Sequence, residues 1–174
     1  MTQRAAEVLE TVEAAPGLVI VMCGLAGSGK TTFSTRLADK DFVRLSIDEE
    51  VWNGSGRYGV DFEPADYPKH LEAARGRVRR RLIEMMLQKT PVVVDSAYWS
   101  RTSRDDVRRL IEQHGCTFML IHMKEHLDVL RSRLMDRTQR FDANAPFRMT
   151  DEDLERFMRS FEAPEGEGEI VVAG

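Results

Sequence analysis

Nine residues, GLAGSGKTT at Gly24–Thr32, follow directly on the apolar run LVIVMC at 18–23, and they limit the possible folds more than any other stretch. The spacing G-x-x-x-x-G-K-[ST] is met in full by Gly24, Gly29, Lys30 and Thr31. With glycine near ~7% of residues, a chance match in a chain of this length is on the order of one in a hundred. A buried strand ahead of the match and the helix-like stretch KTTFSTRLAD behind it give the spacing its physical meaning. Glycine lets the backbone curl so that successive N–H groups converge, and the helix start adds positive potential; together they cradle a phosphate. Gly24, Leu25, Ala26, Gly27, Ser28, Gly29, Lys30, Thr31 and Thr32 are therefore the expected nucleotide-binding residues. Lys30 should reach the β/γ-phosphates, and the Thr31 hydroxyl should ligate the Mg²⁺ that bridges them.

Four further apolar segments read as strands buried on both faces: FVRLSI (42–47), PVVVD (91–95), TFMLIHM (117–123) and the short EIVV (169–172). Between them lie helix-like stretches. In HLEAARGRVRRRLIEMMLQK, the residues Leu71, Ala74, Val78, Leu82, Met85 and Met86 recur at helical spacing. DDVRRLIEQHG ends on a glycine stop, with Thr102 or Ser103 as candidate cap. EHLDVLRSRLMDR and TDEDLERFMRSF follow. This alternation implies a three-layer α/β/α domain over 18–174, with an about five-stranded parallel sheet and its ligand at the carboxyl ends of the strands. Residues 1–17 read as a short helical extension ending at the Pro16-Gly17 break.

The chain has 174 residues, 42% of them hydrophobic and 31% charged, enough for one soluble domain with a real core. Nothing resembles a signal peptide or a membrane span, so a cytoplasmic location is expected. Cys23 and Cys116 stand far apart without metal or redox spacing and read as buried thiols. His70, His114, His122 and His126 likewise lack ligand spacing. A net charge of −4 argues against general adhesion to nucleic acid.

A bound Mg-nucleotide needs a carboxylate on the metal side, and PVVVD presents Asp95 at a strand end where one is expected. Asp48, in LSIDEEVW, ends the second strand and could take a proton from an acceptor hydroxyl. Each aspartate could instead cap a helix or turn, Asp48 ahead of Glu49 and Asp95 ahead of SAYWS, and the two could exchange their chemical parts. In LDVLRSRLMDRTQR, Leu127, Leu130 and Leu134 make an apolar stripe, while Arg133, Arg137 and Arg140 share another face. Arginines stacked on one face repel unless something anionic lies against them, and a phosphoryl transition state is such an anion. Each arginine could instead pair with Asp128 or Asp136 on a solvated helix face; taken together, Arg133 and Arg137 are expected beside Asp48 and Lys30 in the catalytic set. RGRVRRR (75–81) reads more simply as a solvated basic face. Trp52 and Tyr58 after Asp48, and Tyr98 and Trp99 with Arg101 and Arg104 after Asp95, could frame a small acceptor.

With the loop, SIDEEVW, VVVDSAYWSR and LRSRLMDR in view, the chain resembles the P-loop kinases. The likeness is to small ATP-dependent kinases related to the zeta-toxin, chloramphenicol phosphotransferase and polynucleotide kinase branches. The resemblance implies ATP with Mg²⁺ as the donor, a central phosphate-loop strand, an acceptor-activating or metal-side carboxylate at Asp48, and Arg133 and Arg137 in or beside a small lid. It leads to an ATP-dependent kinase with a hydroxyl-bearing small-molecule acceptor. Two other readings stay open: a nucleotide-operated regulatory ATPase whose loops at 53–68 and 140–149 order on the γ-phosphate, and a polynucleotide 5′-hydroxyl kinase using RGRVRRR.

Overall fold

The computed structural model describes residues 2–137, 143 and 150–173, except for the Arg137 side chain. The segment 140–149, with Arg140, therefore lies outside the described residues apart from Ala143. In chain order the elements are β1 (Thr2–Arg4), α1 (Ala5–Thr11), β2 (Leu18–Cys23), α2 (Lys30–Ala38), β3 (Val43–Ser46), α3 (Ile47–Ser55) and, after a 3₁₀ turn at Pro64–Asp66, α4 (Tyr67–Leu87). There follow β4 (Val92–Asp95), α5 (Arg101–Gln113), β5 (Thr117–Lys124), α6 (Leu127–Arg137), α7 (Asp151–Ser160) and β6 (Ile170–Ala173).

The strands form one parallel sheet in the order β1-β6-β5-β2-β4-β3. β2 is central, with β5 on one side and β4 on the other, as the family resemblance implies. The sheet has six strands rather than about five, because Thr2–Arg4 pairs with β6 at the edge. Three polar residues, TQR, carry no strand signal, and pairing with the neighbouring β6 backbone makes them a strand. Behind β1, Val8 and Leu9 of α1 and Val12 at its C-terminal cap are buried against α2 and the sheet, and the Lys40 ammonium closes the end of the helix by donating to the Leu9 and Val12 carbonyls.

Strand alternation sorts β2 between two cores. Val19, Val21 and Cys23 meet Val78, Leu82 and Met86 of α4 and Val107, Leu110 and Ile111 of α5. Leu18, Ile20 and Met22 meet Phe33 and Leu37 of α2 and the apolar face of α1. That division is the α/β/α layering. Among the described residues, no helix is long and apolar enough to cross a membrane.

Local signals set the helix starts. Ser100, not Thr102 or Ser103, caps α5, accepting from the Ser103 N–H at 3.2 Å, so the helix begins earlier than its apolar pattern. Thr150 and Asp153 form a reciprocal capping box at α7. Ser46 caps α3, which begins at Ile47 and leaves Asp48 inside its first turn.

Candidate nucleotide and acceptor site

The loop between β2 and α2 takes its shape from three left-handed glycines. Gly24 has φ +142°, and a Cβ there would stand 2.5 Å from the Met123 carbonyl oxygen and 2.8 Å from Ser28 Oγ. Gly27 faces α6, and Gly29, at φ +95°, is the residue on which α2 starts. The Lys30 ammonium donates to the Gly24 carbonyl at 2.9 Å and to that of Leu25 at 2.8 Å, drawing the cation across the loop. Ser28 is 1% exposed and its hydroxyl has no hydrogen-bond partner among the described residues. An unmet buried hydroxyl costs ~1–3 kcal/mol, and such groups gather where a polar ligand will bind.

The order β3-β4-β2 sets three strand ends side by side, so Asp48, Asp95 and the loop share one edge of the sheet. Gly24 N donates to the Ala97 carbonyl at 3.3 Å, tying the loop to the segment that follows Asp95. Asp95 is 5% exposed, and the cap of the helix that follows is Ser100. Its Oδ2 accepts from Arg44 Nη2 at 2.6 Å, Arg44 Nε at 3.1 Å and Ser34 Oγ at 2.9 Å. Arg44 also donates to Glu49 Oε1 at 2.7 Å. Burial alone would lower the Arg44 pKa, but the hydrogen bonds to Glu49 and Asp95 outweigh it and hold the guanidinium charged. Sequence reasoning passed over Arg44, although a charged residue inside the apolar run FVRLSI is a signal of a buried partner.

Arg133 lies against the loop. Its Nη1 donates to the Gly27 carbonyl at 3.2 Å and its Nη2 lies 3.2 Å from Glu125 Oε2, so α6 sits directly on the loop. Arg137 ends the same helix, with its side chain outside the described residues.

Beside Asp48 is a pocket lined by Val51, Trp52, Gly56, Tyr58, Phe62 and Tyr67. A tight loop builds it. Gly56, at φ +88°, lets the chain pass Asp61, whose carboxylate accepts from Arg57 N at 2.8 Å, and Tyr58 then bridges to Phe62. The Phe62 and Tyr67 rings lie 12° from parallel at 6.5 Å, and Tyr58 stands edge-on to both. Burial, with a smaller contribution from the Asp48 charge, pushes the Tyr67 phenol up to about 12. Trp52 and Tyr58 were expected here; Phe62 and Tyr67 were not, because they lie in and just beyond an irregular loop where spacing carries no signal.

The other proposed acceptor residues do not line that pocket. Tyr98 holds φ +37° and packs against the α4–α5 core, where burial raises its phenol to about 12. Trp99 is half exposed, its carbonyl accepting from Glu162 N at 2.9 Å. Arg101 N donates to Glu162 Oε2 at 2.6 Å and its exposed side chain lies near Asp105. Arg104 is 1% exposed and binds Glu167 through two bonds of 2.8 and 2.7 Å. It is committed to a buried pair, and its third contact is the Tyr98 carbonyl at 3.0 Å. Beside this pair, burial drives the Cys23 thiol up to about 11, which leaves it protonated and inert.

No group of three or more His, Cys, Asp or Glu among the described residues could hold a metal by itself. Mg²⁺ bound with a polyphosphate needs only a hydroxyl and one or two carboxylates, hard oxygen donors of the kind that Thr31, Asp95 and Asp48 supply.

A phosphate-binding loop on the central strand of a parallel sheet, an arginine helix resting on it and carboxylates at the adjacent strand ends define a kinase-type P-loop NTPase. The chain belongs to the AAA domain family, which it matches over residues 19–164. It is 32% identical over 118 residues to a probable adenylyl-sulfate kinase of Aeropyrum pernix, the match covering 64% of this chain and 61% of that protein. To the adenylyl-sulfate kinase of Myxococcus xanthus it is 33% identical over 123 residues, 67% of this chain and 63% of the relative. The chain thus spans less than two thirds of the length of these relatives. A solved structure of a candidate kinase from Chloroflexus aurantiacus superposes with a TM-score of 0.70 at 19% identity, covering 91% of this chain and 89% of that one, a likeness of fold.

Proposed function

We propose that the chain is an Mg²⁺-dependent ATP phosphotransferase that passes the γ-phosphate to a hydroxyl of a small molecule. One observation supports the reading: Asp48 lines a narrow aromatic-walled cleft on the same sheet edge as the phosphate loop, which an incoming acceptor would widen. A regulatory ATPase would need no such pocket.

In this reading the loop amides and Lys30 hold the β/γ-phosphates, and Thr31 with Asp95 holds the metal. Bound Mg²⁺ would supply charge neutralisation across the phosphate oxygens. Asp48 orients the acceptor hydroxyl and takes its proton as the oxygen attacks phosphorus. The aromatic rings exclude water and position the acceptor, so that transfer outruns hydrolysis. Arg133, held over Gly27, meets the charge that spreads over the equatorial oxygens. Arg137 joins it in the proposal. The location remains proposed as cytoplasmic.

The test is a screen of hydroxyl compounds, among them nucleosides, sugars, antibiotics and adenylyl sulfate, for acceptor-dependent ADP release. The active acceptor is then offered to Asp48→Asn. Loss of ~10²–10⁴-fold in kcat with unchanged ATP affinity supports the base assignment. Undiminished transfer by the variant overturns it, and ATP hydrolysis indifferent to every acceptor favours the regulatory ATPase.

A further inference from the structure

Arg44 is the one charged residue in the apolar run FVRLSI, and the sheet decides where it points. Val43 and Leu45 pack into the core formed with α4 and α5, so strand alternation turns Arg44 to the opposite face, toward α2. It stands opposite Val93 of β4, and Asp95, two residues further along that strand, shares its face. The guanidinium spends its donors there. Nη2 and Nε reach Asp95 Oδ2, Nε is shared with Ser34 Oγ at 2.9 Å, and Nη1 reaches Glu49 Oε1.

One side chain therefore joins three elements of the site. Ser34 lies one turn beyond Thr31 on α2, its hydroxyl also 3.0 Å from the Thr31 carbonyl; Asp95 ends β4; and Glu49 stands beside Asp48 in the first turn of α3. The two oxygens of Asp95 are treated differently. Every donor from Arg44 and Ser34 falls on Oδ2, whereas Oδ1 has no hydrogen-bond partner among the described residues. Among those residues the only side-chain polar atom both buried and unpartnered is Ser28 Oγ, so Oδ1 keeps contact with solvent although the Asp95 side chain is only 4% exposed. A carboxylate gripped through one oxygen by a planar fork cannot rotate freely, and its other oxygen is presented in a fixed direction. Groups behind a metal-side carboxylate orient it in this way.

We propose that Arg44 is a positioning residue for the metal side of the site: by occupying Oδ2 it leaves Asp95 Oδ1 as the oxygen offered to Mg²⁺ or to its water, and through Glu49 it ties that carboxylate to the helix carrying Asp48. The proposal rests on reading Asp95 as the metal-side carboxylate. Neutralising a buried aspartate would need only a positive charge, which a lysine supplies; fixing its rotation and reaching Glu49 as well needs the guanidinium fork.

Mn²⁺, which takes the hard oxygen donors that Mg²⁺ takes, is titrated into the intact protein held with saturating ADP, and bound Mn²⁺ is read by electron paramagnetic resonance, a measurement that needs neither acceptor nor transfer. Arg44→Lys keeps the charge and loses the fork. Its Mn²⁺ affinity is expected to fall ~10-fold or more, with ADP binding in the absence of metal as in the wild type. The same substitution placed in Asp95→Asn should cost nothing further, because the two residues act as one unit. Glu49→Ala, at a partly exposed position that leaves the contacts between Arg44 and Asp95 in place, should weaken Mn²⁺ in the same direction, and it decides the question alone if thermal unfolding shows that Arg44→Lys does not fold. Wild-type Mn²⁺ affinity in the folded variants, or a loss from Arg44→Lys that is equally large in the Asp95→Asn background, overturns the positioning role and leaves Arg44 a structural ion pair. Mn²⁺ binding that follows Arg44 in a protein that phosphorylates no hydroxyl compound refutes the proposed function and not this role. Acceptor phosphorylation with Mn²⁺ binding indifferent to Arg44 refutes the role and not the function.

Discussion

Arg133, on α6, donates to the carbonyl of Gly27 in the phosphate loop at 3.2 Å, although 106 residues separate them. The contact places a guanidinium at the loop before any substrate chemistry is considered, and Glu125 holds its other nitrogen. Arg133→Ala is expected to lower phosphoryl transfer ~10³-fold while ATP affinity changes far less, the mark of a group acting in the transition state. Arg133→Lys should recover only part of the rate, because an ammonium cannot bind two oxygens in the guanidinium fashion. Single-turnover kinetics with saturating ATP decide this.

Gly24 has no room for a side chain. Its Cβ would lie 2.5 Å from a backbone oxygen of β5, in a conformation that L residues rarely adopt. Gly24→Ala should cost ~1–3 kcal/mol of stability, as overpacking at a rigid site does, and should weaken ATP binding beyond detection. Thermal unfolding and calorimetric titration on the same sample report both. A wild-type ATP affinity in this variant would show that the loop does not hold the triphosphate.

The Arg104–Glu167 pair holds the segment before β6 against α5 from a fully buried position. Glu167→Gln or Arg104→Ala should cost ~3–5 kcal/mol, since either leaves one buried partner unmatched. The hydrogen bond from Arg104 lowers the Glu167 pKa, with burial opposing. A carboxylate whose folded pKa lies below its unfolded value adds stability that is complete above pH ~4.5 and lost as pH falls through the lowered folded value. Denaturant unfolding of the wild type should therefore weaken across that acid range, and Glu167→Gln should remove part of the slope.

Asp95 offers a test of the proposed metal side. With Arg44 and Ser34 already on its Oδ2, Asp95→Asn should raise the Mg²⁺ concentration needed for half-maximal transfer ~10–100-fold, and EDTA should abolish transfer by both proteins. An unchanged Mg²⁺ requirement would move the metal-side role to Asp48.

Much of the fold was readable because its signals are local. The strands at 18–23, 91–95 and 117–123 are apolar runs bounded by turn residues, and the loop between β2 and α2 is a string of conformational demands that only GLAGSGK meets. Asp95 ends β4, as its apolar run implies, whereas Asp48, expected at the end of FVRLSI, lies in the first turn of α3. Arg44 offered a signal that was passed over, and Glu167, one of several acidic residues in EAPEGEGE, offered none.

The sequence by itself determined the alternating elements, the glycine-shaped loop after β2 and Asp95 at the end of β4, since each depends on backbone conformation and side-chain periodicity within a few residues. Tertiary structure alone decided that Thr2–Arg4 becomes an edge strand, that Arg104 is sealed against Glu167, that Arg44 clasps Asp95, and that Phe62 and Tyr67 join Trp52 and Tyr58 beside Asp48. Those outcomes depend on which strands lie side by side. A partner tens of residues away leaves no periodic trace in the chain, and the energy of a buried pair exists only once the sheet order has brought its two halves into one dry volume.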